Sequence, residues 1–113
     1  AGPSSLRACG YPDLVDNSFD LVINATSASL RGEAPYLPER VFASGSLAYD
    51  MMYGRGETPF LLLARAQGAA RLADGLGMLV EQAAEAFRFW RGVLPDSAPV
   101  LAMLRAVATV PAH

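Results

Sequence analysis

A glycine and a glutamine carry the clearest chemical signal in this 113-residue chain, within the stretch Ala73–Ala84. Gly75 stands where a helix is predicted to begin, and a helix start without a Cβ exposes N–H groups that an anionic or planar ligand can approach closely. Gln82 follows about two helical turns later, so both residues fall on one side. The stretch predicts a ligand-facing helix. Without a ligand, Gly75 is simply a helix-initiating glycine, and Gln82 a good helix former on an exposed face.

Further candidates follow two predicted parallel strands. Asn24–Ser27 comes after the first strand, and Met51 and Tyr53 come after the second. Open α/β sheets bind ligands at the carboxyl ends of their strands. The plainer interpretations are turn-forming polar residues, a core methionine and a surface tyrosine. Asp50 and Asp74 are explained as a strand end and a helix cap, so neither is predicted to be a catalytic acid.

The elements that must position these residues alternate between strand and helix, which predicts an α/β fold with a parallel sheet. Thr58 and Pro59 form a helix start, Asp74 caps the long helix, and Gly92 ends it. The predicted elements are a short strand around Leu6–Cys9, strands Phe19–Asn24 and Ser46–Asp50, a helix from Pro59 to near Gly68, an edge strand Ala70–Ala73, and helices Gly75–Arg91 and Ser97–Val107.

Composition excludes several classes of function. The net charge is −2 and the charges are scattered, which gives no footprint for nucleic acid or for an anionic membrane surface. The single cysteine, Cys9, is interpreted as a bystander thiol. The single histidine, His113, is the last residue of the sequence, which argues against a metal site. All nine basic residues are arginines. The chain begins without methionine, and we expect a piece of a longer soluble protein.

Three motifs in order resemble the C-terminal part of shikimate dehydrogenase. They are Ile23–Ser27 after a strand, Tyr49–Gly54 leading into Thr58–Leu61, and Ala73–Val80 running to Gln82. The resemblance implies the C-terminal half of a Rossmann-like, doubly wound parallel-sheet domain that binds NADP, with C-terminal helices, over residues 1–113. It also implies that the N-terminal substrate and catalytic domain and the Gly-rich phosphate loop are absent from this chain.

In that family, NADPH reduces 3-dehydroshikimate to shikimate on the route to aromatic amino acids, in the cytoplasm. A lysine and an aspartate of the absent domain transfer the proton, so the resemblance implies no catalytic residue and no metal ligand in this chain. It also leaves a homodimer as an expectation. The implied cofactor-binding residues are Ala25, Thr26, Ser27, Met51 and Gly75, and the implied substrate-binding residues are Tyr53 and Gln82.

Two alternatives stay open at this point. One is a quinate/shikimate dehydrogenase paralogue that uses NAD, because the residues choosing substrate and cofactor lie mainly upstream in the family. The other is a non-catalytic α/β interaction domain, which would account for the lack of acid/base residues but would leave the grouping of Tyr53, Gly75 and Gln82 unexplained.

Overall fold

The computed structural model describes residues 6–54 and 56–109, and this part of the chain forms an α/β fold. The predicted alternation of strands and helices is confirmed, with two short 3-10 helices added before the second strand. In chain order the elements are the 3-10 helix Tyr11–Leu14, strand β1 (Phe19–Asn24), the 3-10 helix Ala28–Arg31, strand β2 (Phe42–Asp50), helix α1 (Pro59–Ala66), strand β3 (Arg71–Ala73), helix α2 (Leu76–Arg91) and helix α3 (Ser97–Thr109).

The three strands form one parallel sheet in the order β1-β2-β3. Asn24 at the end of β1 pairs with Asp50 at the end of β2, and Tyr49 pairs with Ala73 at the end of β3. All three strands therefore finish at one side of the sheet, called the carboxyl edge below. This is the side at which the ligand-binding loops were predicted.

Strand β2 is longer than predicted because it contains an irregularity. The register with β1 shifts between Phe19, paired with Phe42, and Leu21, paired with Leu47, so β2 carries three additional residues there. Gly45 lies in this part with φ +79, a left-handed conformation that favours glycine. The predicted strand Ser46–Asp50 corresponds to the regular end of β2. The residues of β2 before Ser46, which include this bulge, were not predicted as strand.

Helix α1 packs on the sheet and begins as predicted. The Thr58 side chain accepts a hydrogen bond from the Leu61 N–H at 3.3 Å, and Pro59 occupies the first helical position. The rings of Phe42 and Phe60 lie 6.0 Å apart between centroids in the core. The core cluster consists of Val41, Phe42, Ala48, Phe60, Leu61 and Ala64. Burying this apolar group holds α1 against the strand that ends at the candidate site.

The later helices follow the predicted order with small differences at their ends. Helix α2 starts at Leu76, one residue later than predicted, with Gly75 as its N-cap residue; Gly92 ends it with φ +75, as predicted. Helix α3 extends two residues past Val107. The strand predicted around Leu6–Cys9 is wrong, because these residues have irregular structure. His113 and the end of the chain lie outside the described residues.

Within residues 6–54 and 56–109, none of the helices combines the length and the apolar character needed to cross a lipid bilayer.

Candidate functional site at the carboxyl edge

Three loops that contain predicted site residues leave the sheet at the same edge. Ala25–Ser27 follows β1, Met51–Tyr53 follows β2, and Asp74 and Gly75 follow β3. Ala25, Thr26 and Ser27 are exposed, Met51 is 40% exposed and Tyr53 is 47% exposed. The edge therefore presents small side chains, a thioether and a phenol to a ligand, and Gly75 lies buried against the backbone of Met51.

A buried carboxylate holds two of these loops in place. Asp50 is fully buried, and its Oδ1 accepts hydrogen bonds from Asn24 Nδ2 at 3.2 Å and from the Met52 N–H at 3.0 Å. Its Oδ2 accepts a bond from the Thr58 hydroxyl at 2.5 Å. Three donors compensate the burial of a charge that would otherwise be costly. Asp50 is thus a structural centre joining β1, the loop after β2 and the start of α1, which agrees with the strand-end role predicted for it.

Asn24 extends this network into the first loop. Its Oδ1 accepts hydrogen bonds from the Thr26 N–H at 3.1 Å and from the Thr26 hydroxyl at 2.7 Å, an Asx-type turn. The backbone oxygen of Asn24 accepts the Met51 N–H at 3.0 Å. The polar atoms of Thr26 therefore shape the loop, while Ala25 and Ser27 lie on its exposed surface. Asn24 was noticed in the sequence as a polar strand end, but its link to Asp50 depends on the pairing of β1 with β2.

Gly75 is required by a close backbone contact. A Cβ added to it would lie 2.0 Å from the carbonyl oxygen of Met51 and 2.8 Å from its carbonyl carbon. The Gly75 N–H also donates to the Met52 oxygen at 3.0 Å. With φ −81 and ψ 2, the backbone of Gly75 is not in the left-handed region, so the need for glycine comes from this contact. The contact joins the start of α2 directly to the loop after β2.

Asp74 fixes the start of α2 from a second side. Its Oδ1 accepts the Leu76 N–H at 3.1 Å, so it caps the first turn as predicted, although it precedes the N-cap residue. Arg105 of α3 donates from Nη1 to both carboxylate oxygens of Asp74, at 2.8 Å each. The two members of this pair are 31 residues apart, and their contact was not predicted from the sequence. The one sequence feature that pointed to such a contact is that Arg105 is the only charged residue of α3.

Gln82 lies farther from the edge than the other predicted residues. It is exposed on α2, and its Cα is about 10 Å of helical rise from that of Gly75, at roughly 1.5 Å per residue. Tyr53, by contrast, belongs to the loop directly after β2. The structure therefore groups six of the seven predicted residues at one edge, and the seventh extends along the helix that starts there.

The apolar surface of α2 is divided between the interior and an open groove. Leu76, Val80 and Ala84 are buried, whereas Trp90 is 84% exposed. A groove of about 440 Å³ lies between α2 and α3, lined by residues that include Leu79, Ala83, Phe87, Val100 and Leu104. Among residues 6–54 and 56–109, no group of three or more His, Cys, Asp or Glu side chains is arranged to hold a metal ion.

A parallel sheet with polar loops gathered at its carboxyl edge defines the class of α/β proteins that bind ligands there, of which the Rossmann-like domains are examples. Comparison with known proteins narrows this class. Residues 75–107 match the family model described as the shikimate 5'-dehydrogenase C-terminal domain. A shikimate dehydrogenase (NADP(+)) from Dechloromonas aromatica (strain RCB) is 71% identical over 106 residues, which are 94% of this chain and 39% of the relative.

Solved structures agree with this similarity. An Ael1 enzyme from Pseudomonas putida shares 58% identity with a TM-score of 0.76, over 89% of this chain and 36% of that one. Shikimate 5-dehydrogenase from Thermus thermophilus, in complex with NADP(H) and shikimate, shares 36% identity with a TM-score of 0.64, over 79% of this chain and 34% of that one. The resemblance to the C-terminal part of shikimate dehydrogenase and the Rossmann-like fold class are confirmed. The chain spans about 39% of the length of the first curated relative.

Proposed function

We propose that this chain is the C-terminal part of an NADP-dependent shikimate dehydrogenase, which reduces 3-dehydroshikimate to shikimate. In this proposal, residues 1–113 complete the cofactor domain and add the C-terminal helices. The proton-transferring lysine and aspartate, and the Gly-rich phosphate loop, belong to a preceding part of the same protein.

The main support for the proposal is that the three motifs resembling shikimate dehydrogenase lie at one edge of the sheet. Each motif supplies one loop of that edge, and Asp50, Asn24 and Gly75 tie the loops together. A non-catalytic interaction domain has no need for this arrangement, and the 71% identity is to a protein named as the NADP-dependent enzyme.

The residues present suit the nicotinamide end of the cofactor. Ala25 and Ser27 are small and exposed, and the half-exposed Met51 offers a polarisable side chain in the loop after the neighbouring strand, so a planar ring can approach the edge closely. When bound, NADPH supplies the hydride, and the chain's own task is to fix distance and angle. Gly75, also proposed as a cofactor contact, sets the position of the Met51 carbonyl group.

Tyr53 and Gln82 are proposed to bind the substrate. A phenol can donate and accept a hydrogen bond while remaining un-ionised near neutral pH, and an amide can do both at any pH. Both groups suit the hydroxyls of a polyol acid. Their exposure in this chain fits a ligand held between this domain and a second one.

The test is NADP⁺ reduction by shikimate, followed by the absorbance of the NADPH formed, with the intact natural protein whose mass has been determined. Parallel reactions replace NADP⁺ with NAD⁺ and shikimate with quinate. Activity with shikimate and NADP⁺, in a protein more than twice the mass of this chain, is the expected result. A preference for quinate or NAD⁺ would instead indicate the quinate/shikimate dehydrogenase paralogue. A complete lack of cofactor binding would favour a non-catalytic interaction domain.

A pair of tyrosine variants tests the substrate role within the same assay. Tyr53→Phe removes one hydrogen bond to substrate, worth about 0.5–1.5 kcal/mol, so the KM for shikimate should rise roughly two- to twelvefold. Tyr36→Phe is the matched control. Tyr36 is 91% exposed and lines a cavity with Tyr11 and Pro38, and it does not belong to any of the three loops at the carboxyl edge. Equal kinetic constants for the two variants would contradict the role of Tyr53.

A cytoplasmic location and a homodimer stay predictions. The chain's other proposed partner is the N-terminal domain of the same enzyme.

A further inference from the structure

Arg105 is the single charge on a helix that is otherwise uncharged. Among Ser97–Thr109, all other residues are apolar or neutral. Its Nη1 donates to both carboxylate oxygens of Asp74 at 2.8 Å, and the side chain of Asp74 is only 7% exposed. A carboxylate withdrawn from water needs charged or N–H partners, so the pair is a specific link between α3 and the start of α2.

The link reaches the predicted site through one residue. Asp74 also caps α2 by accepting the Leu76 N–H. Gly75, which lies between these two residues in sequence, is in close contact with the carbonyl group of Met51. A cavity of about 270 Å³ is lined by Asp74, Arg105 and Gly54, which directly follows Tyr53. The pair therefore borders both the loop after β2 and the first turn of α2.

We propose that Arg105 is a positioning residue for the reaction. Acting through Asp74, it fixes the first turn of α2, and with it the contact between Gly75 and Met51 and the direction in which α2 carries Gln82. The inference rests on the proposed function. Its kinetic importance follows from the sensitivity of catalysis to geometry, since a displacement of about 1 Å can cost on the order of 100-fold in rate.

The experiment measures kcat and KM for shikimate oxidation in the intact enzyme, together with circular dichroism spectra and thermal unfolding. The variants are Arg105→Gln, Arg105→Lys, Asp74→Asn and the double variant R105Q/D74N. Asp74→Asn keeps an oxygen to cap Leu76 and removes the charge. Arg88→Gln is the matched control, because Arg88 forms an exposed pair with Glu85 near the far end of α2.

We expect Arg105→Gln to lower kcat/KM at least about tenfold at a temperature where its spectrum is native. Arg105→Lys should recover part of the loss, since its ammonium group can still donate to Asp74. The double variant should be no worse than the poorer single variant, because both changes remove the same interaction. Arg88→Gln should keep wild-type constants.

The opposing outcomes are distinct. Wild-type constants in Arg105→Gln, or losses that add in the double variant, would overturn the inference and leave the proposed function intact. Where Arg105→Gln does not fold, wild-type constants in Asp74→Asn and Arg105→Lys overturn it equally. An intact wild-type protein without NADP-dependent shikimate oxidation would overturn the proposed function, and the inference with it.

Discussion

Alanine substitutions at two glycines at the start of α2 should have opposite effects on stability. In Gly75→Ala, the new Cβ would begin 2.0 Å from the Met51 oxygen, whereas ordinary contact starts at 3.4 Å, so the groups must separate by about 1.4 Å. That movement strains the hydrogen bond from Gly75 to the Met52 oxygen. Gly77 has no atom within 4 Å of the position that a Cβ would take, and it lies within the helix, where alanine is favoured over glycine.

The magnitudes follow from these contacts. Overpacking costs about 1–3 kcal/mol and the strained hydrogen bond about 0.5–1.5 kcal/mol, so Gly75→Ala should destabilise the first turn of α2 by about 1.5–4.5 kcal/mol. Gly77→Ala should stabilise the helix by about 0.5–1 kcal/mol. At about 1.4 kcal/mol per factor of ten, amide exchange in α2 should become about 10- to 1,600-fold faster in Gly75→Ala and about two- to fivefold slower in Gly77→Ala.

Hydrogen exchange by mass spectrometry on the intact protein, without added cofactor, is the appropriate assay. The cofactor is omitted because the requirement for glycine at position 75 has a second candidate cause, namely that a side chain there would collide with nicotinamide. Without cofactor, only the contact with Met51 can affect exchange. If Gly75→Ala exchanged like the wild type without cofactor and lost only affinity for NADP⁺, the backbone contact would not be the reason for this glycine. Equal exchange rates for the two alanine variants would refute the steric argument as well.

Three further predictions concern other parts of the chain. Gln82→Ala in the intact enzyme should raise the KM for shikimate more than it lowers kcat, and a collapse of kcat at constant KM would contradict its binding role. Asp50→Asn should lower the free energy of unfolding by about 1–3 kcal/mol, because one of its buried hydrogen bonds loses its acceptor; the exposed Asp20→Asn is the control in urea unfolding. The hydrogen bond from Arg88 lowers the pKa of Glu85, so this pair stabilises the fold above the ordinary carboxyl pKa and loses its effect as the pH falls through the lowered value. Nuclear magnetic resonance titration of Arg88→Gln should show the Glu85 pKa returning towards its ordinary value, and an unchanged value would exclude this cause.

Local signals in the sequence predicted the elements that are set by neighbouring residues. Thr58 and Pro59 begin α1, and Gly92 ends α2, because a capping hydroxyl, a missing N–H and a left-handed residue each act within one helical turn. Strand β1 was predicted with its observed ends, since an apolar run between turn residues is also a local signal.

Features that depend on distant residues were not predictable in the same way. The bulge at Gly45 depends on how β2 pairs with β1, and the pairing of Arg105 with Asp74 depends on where α3 packs. Gly75 was singled out in the sequence as a ligand-facing glycine, but the sequence does not reveal that a Cβ there would meet the carbonyl group of Met51. The residue types at the carboxyl edge could therefore be identified from the sequence. The contacts that hold these residues in place could be identified only from the folded structure.

The buried carboxylate of Asp50 also has a consequence for how this region assembles. Its donors come from β1, from the loop after β2 and from the start of α1, so it is satisfied only when all three segments have met. A partly folded form with any one segment detached would leave a buried charge short of a partner, at a cost of about 1–3 kcal/mol. Such forms are disfavoured, so we expect the end of β1, the loop after β2 and the start of α1 to gain and lose their order together, as one cooperative unit.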